Sequence, residues 1–320
     1  MRLKKVDYSL IGKNLGMALK TNDGVVIVNR GKAITDTIIN KLQQYGFNTI
    51  YIEDDDVNIT VKKTIPEDIH FEYLKKLNRI YKKIIETNSF DESELNIFVR
   101  NNLLCDIRNE PISLGFGTIT ESNDLAYHSL NVCLIAMMTG MKYGLDRDKL
   151  EILMKASLLH DIGKFLPDKY GKSHEQKAYN FFKNSTNSIL MCNTIRFHHE
   201  TIDGQGPEKL EYKHQSDLVK ILSLCNDYEN SITIKKLLPS QSYENIQALT
   251  NFKYDLKVFN AFKHSIYVYP IGLTVRLSNG VKGVVVEQNS DMPSRPIVKT
   301  ENVKYDLMDH LSLFIEAIEI

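Results

Sequence analysis

The sequence predicts a mainly α-helical protein: a helical metal-binding core, a small α+β module before it and a β-hairpin element after it. Three observations predict this class. Apolar residues recur at helical spacing through most of residues 67–265. Strand-like runs are confined to the first 60 residues and to the region after about residue 265. Five of the nine histidines lie between residues 128 and 199, inside the helical part.

The amino-terminal part alternates strand and turn signals. Gly24–Val28 and Thr49–Ile52 are rich in β-branched residues, and each predicts a strand. Between them, apolar positions from Ile34 to Tyr45 have helical spacing. The acidic run Glu53–Asp56 follows, and we expect an exposed loop there, because such runs are more often solvated than metal-binding.

From Glu67 to about Asn101, apolar residues recur with a helical period and lysines occupy the opposite face. The pattern predicts one long helix. It could connect two domains and carry a dimer or partner contact, although an ordinary core-facing helix fits the same pattern. We therefore expect residues 1–110 to form the amino-terminal module with its connecting helix, and residues 111–320 to form the metal-binding domain with the hairpin.

The core carries side chains that bind divalent metals. In chain order they are His128, the pair His160–Asp161, His174 and the pair His198–His199. Imidazoles and carboxylates suit borderline and hard divalent ions, and this set exceeds the needs of one ion. Adjacent helical side chains point about 100° apart, so His160 and Asp161 cannot serve one ion in the same way. A bridging Asp161 would resolve this. His160 would then serve one ion, and His198 or His199 the other.

Residues close to these ligands have expected roles of their own. Asp124 lies four positions before His128, so it is either a further ligand on the same helix face or a helix cap. The helix over Lys149–Leu159 should deliver His160 at its carboxyl end and stop at Gly163. An ammonium cannot bind a metal, so Lys164 is expected instead to contact an anion. The resemblance given below makes that anion a phosphate oxygen.

The ordered motifs resemble the HD-GYP family of the HD superfamily of metal-dependent phosphohydrolases. They are His128, His160-Asp161-Ile162-Gly163-Lys164, His174, His198-His199-Glu200, Asp203-Gly204 and Gly206-Pro207. The resemblance covers roughly residues 120–300. It implies that two divalent ions, Fe or Mn, are bound by His128, His160, Asp161, His174, His198, His199 and Asp227. It also implies that cyclic di-GMP is the substrate.

The chain departs from the family in the loop after His199. The family reads His-His-Glu-Arg-x-Asp-Gly-x-Gly-Tyr-Pro, whereas this chain has Thr201 for the Arg and no Tyr. In the family this loop shapes the substrate end of the site. By that resemblance, the substrate-binding residues are Lys164, Asp203, Gly204, Gly206 and Pro207. The interval from His160 to His174 is also short for the family.

The last metal ligand has two candidates. Counting from His199 without a gap places Asp227 at the family's last metal position, whereas allowing for the missing Tyr places Asn226 there. A carboxylate binds a divalent ion far better than a neutral amide does, so Asp227 is preferred.

After about residue 265, strand signals return. Tyr269–Leu277 and Gly283–Val286 flank the turn residues Ser278-Asn279-Gly280 and predict a hairpin, which Pro293–Val298 continues. Leu307–Ile318 is predicted to form a last helix.

Composition excludes several classes of partner. Forty basic residues balance forty acidic ones, so no general field attracts duplex nucleic acid or an anionic membrane. No stretch approaches the roughly 20 apolar residues of a membrane span, and the start is not a signal peptide. The four cysteines lack zinc-ribbon spacing, and we interpret Cys105, Cys133, Cys192 and Cys225 as buried thiols in a reducing compartment. We therefore expect a cytoplasmic protein.

The resemblance implies hydrolysis of cyclic di-GMP to pGpG or GMP by a metal-activated hydroxide, with Asp161 and Lys164 as catalytic residues. Two alternatives stay open. One is a receptor that binds cyclic di-GMP, or a signalling protein partner, with little or no turnover. The other is an HD phosphohydrolase that acts on another nucleotide.

Overall fold

The computed structural model describes residues 1–21, 24–54, 59, 65–106, 110–113 and 125–319. The chain divides into two compact units. One, the β-rich unit, contains Met1–Thr64 and Ile266–Ile320, and the other, the helical unit, contains Ile65–Ile112 and Asn123–Ser265.

Small antiparallel sheets make up most of the β-rich unit. Its elements are β1 (Arg2–Lys5), β2 (Leu19–Lys20), β3 (Val26–Val28), α1 (Asp36–Gln44), β4 (Thr49–Ile52), β5 (Thr274–Leu277), β6 (Lys282–Glu287), β7 (Ile297–Lys299), β8 (Lys304–Asp306) and β9 (Ile315–Ile318). β1 pairs with β4, β2 pairs with β3, and a five-stranded sheet has the order β8-β7-β6-β5-β9. The predicted strand at Thr49–Ile52 and the predicted hairpin, now β5 and β6, are confirmed.

Residues from both ends of the chain share one core in the β-rich unit. Leu3 and Tyr51 are buried in the same cluster as Leu273 and Val298. The Tyr51 hydroxyl also donates a hydrogen bond of 2.9 Å to the carbonyl of Ile271. The two units therefore do not follow the boundary predicted after residue 110. The reason is that apolar residues of the last strands pack against those of the first strands.

The helical unit confirms the predicted mainly α-helical class. Its helices are α2 (Glu67–Thr87), α3 (Glu92–Phe98), α4 (Leu104–Asp106), α5 (Leu125–Tyr143), α6 (Arg147–Leu159), α7 (His174–Phe182), α8 (Ile189–Arg196), α9 (Asp217–Thr233), α10 (Pro239–Ala248) and α11 (Leu256–Phe262). A π-helical segment, Val99–Leu103, joins α3 to α4, and a short 3-10 helix covers Ile162–Phe165.

Helix α5 is the centre of the helical unit. Its residues from Ala126 to Gly140 are all buried, and it packs against α6, α9 and α11. A helix that is apolar on nearly all sides is typical of such a position. The polar residues buried on it, among them His128 and Asn131, therefore need partners inside the protein.

Side-chain caps fix where the helices of the core begin. Asp146, Ser173, Ser188 and Ser216 each accept a hydrogen bond from the backbone N–H three residues later, at the starts of α6, α7, α8 and α9. Such a cap typically stabilises a helix by about 1 kcal/mol.

The long helix predicted from Glu67 to about Asn101 is wrong, because the chain forms two helices there. Helix α2 ends at Thr87, and Asn88 adopts a left-handed conformation with φ of 50°. Asp91 then caps α3 by accepting hydrogen bonds from two backbone N–H groups. Asn tolerates this backbone geometry better than most residues do, so it marks the break that the apolar period did not reveal.

The helix predicted over Leu307–Ile318 is also wrong. This segment contains β9, which pairs antiparallel with β5. Leu313, Ile315 and Ile318 pack against the apolar cluster of the β-rich unit. A long-range strand partner decided the structure of a segment whose local pattern also fits a helix.

Three of the four predicted buried thiols are buried, and the prediction for Cys105 is wrong because that residue is exposed. In the described part of the chain, no helix is long and apolar enough to cross a membrane.

Candidate metal centre

Three ligand atoms converge where α5 meets the end of α6. His128 lies on α5, His160 caps the carboxyl end of α6, and Asp161 follows it. His128 Nε2 lies 3.1 Å from His160 Nε2 and 3.5 Å from Asp161 Oδ2. His160 Nε2 lies 3.6 Å from the same oxygen. We call these three atoms the inner half-site.

Three more imidazoles lie on the other side of Asp161. His174 begins α7, and His198 and His199 follow α8. Asp161 Oδ1 lies 3.2 Å from His174 Nε2 and 3.9 Å from His198 Nε2. One ligand atom from each of these four residues lies within 4.8 Å of the others. We call this group the outer half-site.

Asp161 connects the half-sites because each of its oxygens faces a different one. Among the described residues, Asp161 Oδ1, His174 Nε2 and His198 Nε2 are buried and have no hydrogen-bond partner. Leaving one such atom unsatisfied costs about 1–3 kcal/mol. Three unsatisfied atoms in one place are the arrangement expected where metal ions complete the bonding. The residues therefore fit divalent metal binding, in two clusters that share Asp161.

Backbone carbonyls orient two of the rings. His160 Nδ1 lies 2.7 Å from the Ser157 carbonyl oxygen, and His198 Nδ1 lies 2.6 Å from that of Ile195. A carbonyl oxygen only accepts, so Nδ1 donates in both rings. The lone pair is then on Nε2, the atom that faces Asp161.

A buried carboxylate on α9, Glu229, supports the His128 ring. Its Oε2 contacts His128 Nδ1, and its Oε1 accepts hydrogen bonds from Asn131 and Thr233. Carboxylates behind a metal-binding imidazole fix the ring's orientation and raise its basicity. Sequence analysis missed Glu229, because its partner is 101 residues away and nothing local indicates the contact.

Burial determines the protonation of most imidazoles here. It lowers the pKa of His160 to about 4, and it lowers the pKa values of His198 and His199 as well. These rings are therefore neutral at neutral pH, which is the form that binds metal. Burial acts in the same direction on His128, but the carboxylates of Glu229 and Asp161 together outweigh it, and the pKa of His128 is raised.

Gly163 permits a close backbone approach beside the site. A Cβ atom at this position would lie 1.9 Å from the carbonyl oxygen of His174. The missing side chain lets the segment after Asp161 lie against the start of α7. The prediction that Gly163 ends α6 is wrong, since that helix ends at Leu159 and Gly163 lies within the following 3-10 helix.

Lys164 reaches the inner half-site from solvent. Its ammonium donates to Asp161 Oδ2, while half of its side chain, 51%, is exposed. The cation is thus at the edge of the centre and can also meet an anion that arrives from solvent.

The predicted substrate residues Asp203, Gly204, Gly206 and Pro207 lie in the loop after His199. Asp203 and Pro207 are exposed. Asp203 Oδ1 accepts hydrogen bonds from the Thr201 hydroxyl and, at 3.1 Å, from the backbone N–H of Gln205. Thr201, which stands where the family has an Arg, therefore has its hydroxyl bound within the loop.

Glu200 stabilises the conformation of the same loop. Its carboxylate accepts backbone hydrogen bonds of 2.7 Å from both Glu208 and Leu210. Gly206 passes so close that a Cβ atom there would lie 2.7 Å from Glu200. This role of Glu200 was not predicted.

Neither Asp227, predicted as the last ligand, nor Glu175 is among the residues of the two half-sites, although the charges of both act on the His199 imidazole. Asp227 Oδ2 accepts a hydrogen bond of 2.9 Å from the Tyr254 hydroxyl and lies 2.7 Å from Lys253 Nζ. The alternative candidate, Asn226, is buried and accepts a hydrogen bond of 3.0 Å from Asn230. Asp124 lies outside the described residues.

A second unpredicted carboxylate lies beside the outer half-site. Glu175 follows His174 on α7, and its Oε1 lies 3.5 Å from His174 Nε2 and 3.7 Å from His199 Nε2. Its position next to a candidate ligand, in the first turn of a helix, is a sequence signal that could have revealed it.

Comparison with known proteins places all the described candidate ligands in one family domain. Residues 125–231 match the HD domain family. A cyclic di-GMP phosphodiesterase from Pseudomonas aeruginosa is 30% identical over 215 residues, which cover 60% of this chain and 52% of that protein. A ribonuclease Y from Petrotoga mobilis is 31% identical over 85 residues, which cover 27% of this chain and 16% of that protein. The chain thus spans about half the length of the first relative and 16% of the second.

One solved structure with which the chain aligns is Bd1817, an HDG"Y"P protein from Bdellovibrio bacteriovorus. It aligns with a TM-score of 0.47 and 16% sequence identity, over 81% of this chain and 98% of that one.

Proposed function

Residues 125–231 match the HD domain family, and on this premise we propose that the chain is a metal-dependent phosphodiesterase of the HD-GYP type that hydrolyses cyclic di-GMP. One observation carries the proposal. The two oxygens of Asp161 face two separate groups of imidazoles, and three buried atoms at this junction have no hydrogen-bond partner among the described residues.

Two divalent ions, Fe or Mn, would be held by the two half-sites. His128 and His160 would hold one, His174, His198 and His199 the other, and Asp161 both. When bound, such ions supply a nucleophile from water at neutral pH and neutralise charge on the scissile phosphate. The mixture of imidazole and carboxylate ligands suits either metal.

The chain's own residues would orient and stabilise the phosphate. The Lys164 ammonium is at the edge of the inner half-site and partly exposed, so it can approach a phosphate oxygen and stabilise negative charge that grows in the transition state. The loop with Asp203, Gly204, Gly206 and Pro207 would form the substrate end of the site.

A receptor with little or no turnover is the second candidate. Its support is the loop itself, which lacks the family's Tyr and has Thr201, bound to Asp203, at the place of the Arg. Both changes remove groups that could hold the dinucleotide, while the candidate metal ligands are unaffected.

Metal analysis combined with product analysis tests the proposal. Purified protein from cells grown with ample iron and manganese should contain about two ions per chain and convert cyclic di-GMP to pGpG or GMP. Bound metal and bound cyclic di-GMP without product would favour the receptor. Product from a different phosphodiester alone would favour an HD phosphohydrolase with another substrate.

A further inference from the structure

Beside the outer half-site lies one carboxylate, that of Glu175, to which the family resemblance assigns no role. Glu175 Oε1 lies 3.5 Å from His174 Nε2 and 3.7 Å from His199 Nε2. Both distances are too long for hydrogen bonds. Two ligands that share an ion at about 2.1 Å lie roughly 3.0–3.4 Å apart for angles between 90° and 109°, and about 4.2 Å when opposed. The measured separations fall within this span.

Among the residues that the structure describes, the Glu175 carboxylate is not committed to a lysine or arginine side chain. Its side chain is 12% exposed, and in the described part of the chain its ion partners are these two imidazoles, with no lysine or arginine among them. It lies in the first turn of α7, which Ser173 caps, where the helix dipole stabilises negative charge. A carboxylate this well buried costs free energy unless a cation compensates it.

Asp227, the preferred candidate over Asn226 for the last metal position, is already bound to other groups. Lys253 Nζ and the Tyr254 hydroxyl lie 2.7 Å and 2.9 Å from its Oδ2. To bind an ion, Asp227 would have to exchange a charge-assisted contact and a hydrogen bond for it. Glu175 requires no such exchange.

We propose that Glu175 is a metal ligand of this chain, and that it supplies to the outer ion the carboxylate that Asp227 supplies in the family pattern. The inference rests on the proposed two-ion centre. It also gives the outer half-site a terminal anionic ligand in addition to the bridging Asp161, a donor set that favours a hard divalent ion such as Mn²⁺.

Titration of the metal-free full chain with Mn²⁺, with free Mn²⁺ followed by its electron paramagnetic resonance signal, tests the assignment. Wild type should bind two ions. Glu175→Gln keeps the size of the side chain and removes its charge. The variant should still bind the first ion, but its affinity for the second ion should fall by at least tenfold. Tenfold is roughly the smallest loss seen when a residue that only supports a metal ligand is removed. Retention of the first ion also shows that the variant is folded.

Two variants complete the test. Asp227→Asn should leave the second affinity within about threefold of wild type. Glu208→Gln is the matched control, because its partly buried carboxylate pairs with Arg196 at 3.0 Å, away from the imidazoles. The proposal is overturned if Glu175→Gln binds the second ion like wild type, if it loses both ions, or if Asp227→Asn alone weakens the second ion. If the wild-type protein binds one ion or none, the proposed two-ion centre itself is wrong, and with it the proposed function.

Discussion

The inner and outer half-sites share Asp161 but are supported very differently. In the inner half-site, the His160 side chain is 0% exposed and the His128 side chain 11%, and both rings are held from behind, by Ser157 and Glu229. In the outer half-site, His198 is equally buried and is held by the Ile195 carbonyl, but the side chains of His174 and His199 are 22% and 32% exposed. A ligand set fixed by buried contacts loses little freedom when it binds. We therefore expect a tightly held inner ion and a more exchangeable outer ion.

Removing the shared ligand should have the largest effect. Asp161→Ala should abolish the binding of both ions and reduce turnover to background, because each half-site loses an oxygen and the imidazoles lose the charge between them. Metal analysis after dialysis measures this. Asp168→Ala, at an exposed residue paired with Lys177, is the control and should keep both ions. One ion retained in Asp161→Ala would show that the half-sites do not depend on a common carboxylate.

Lys164 should affect chemistry without affecting either half-site. Lys164→Met and Lys164→Ala should lower turnover by roughly ten- to a thousandfold, the range for losing one electrostatic contact to the transition state, and leave metal content unchanged. Lys169→Met, at an exposed neighbour, should match wild type in both respects.

If wild type shows no turnover, the same variants should bind cyclic di-GMP more weakly, most clearly at low salt, where charges are least screened. If the variants match wild type in turnover and in affinity for cyclic di-GMP, Lys164 is a surface residue with no role in the site.

Glu229 tests the inner half-site separately. Glu229→Gln should weaken the tighter ion by about ten- to a hundredfold and leave the weaker one nearly unchanged, since the lost charge acts through His128. Stepwise Mn²⁺ titration distinguishes the two ions. Glu244→Gln, at an exposed position on α10, provides the comparison. Equal weakening of both ions would contradict the separate support inferred for the inner half-site.

The substrate loop should give the smallest effect. Asp203→Ala removes two hydrogen bonds at an exposed residue. At about 0.5 kcal/mol each, the low end expected for exposed groups, KM should rise by less than about tenfold. Metal content should stay at the wild-type level. A loss of metal in this variant would mean that the loop is part of the outer half-site.

Local sequence patterns predicted many elements and failed where distant contacts decided the outcome. The strand Thr49–Ile52 and the β5–β6 hairpin follow from β-branched runs and turn residues alone. The segment Leu307–Ile318 does not, because β9 exists through its pairing with β5. The break at Asn88 was missed for another reason, since the apolar period continues across it.

The sequence by itself determined the mainly helical class and the match to the HD domain, because each depends on residue types in a fixed order. Tertiary structure alone decided how the candidate ligands divide around Asp161, that Asp227 is bound to Lys253 and Tyr254, and that Glu229 supports His128. These facts depend on distances between side chains far apart in the chain. Periodicity reports which face of a helix is buried, and it carries no information about which atoms another helix places against that face.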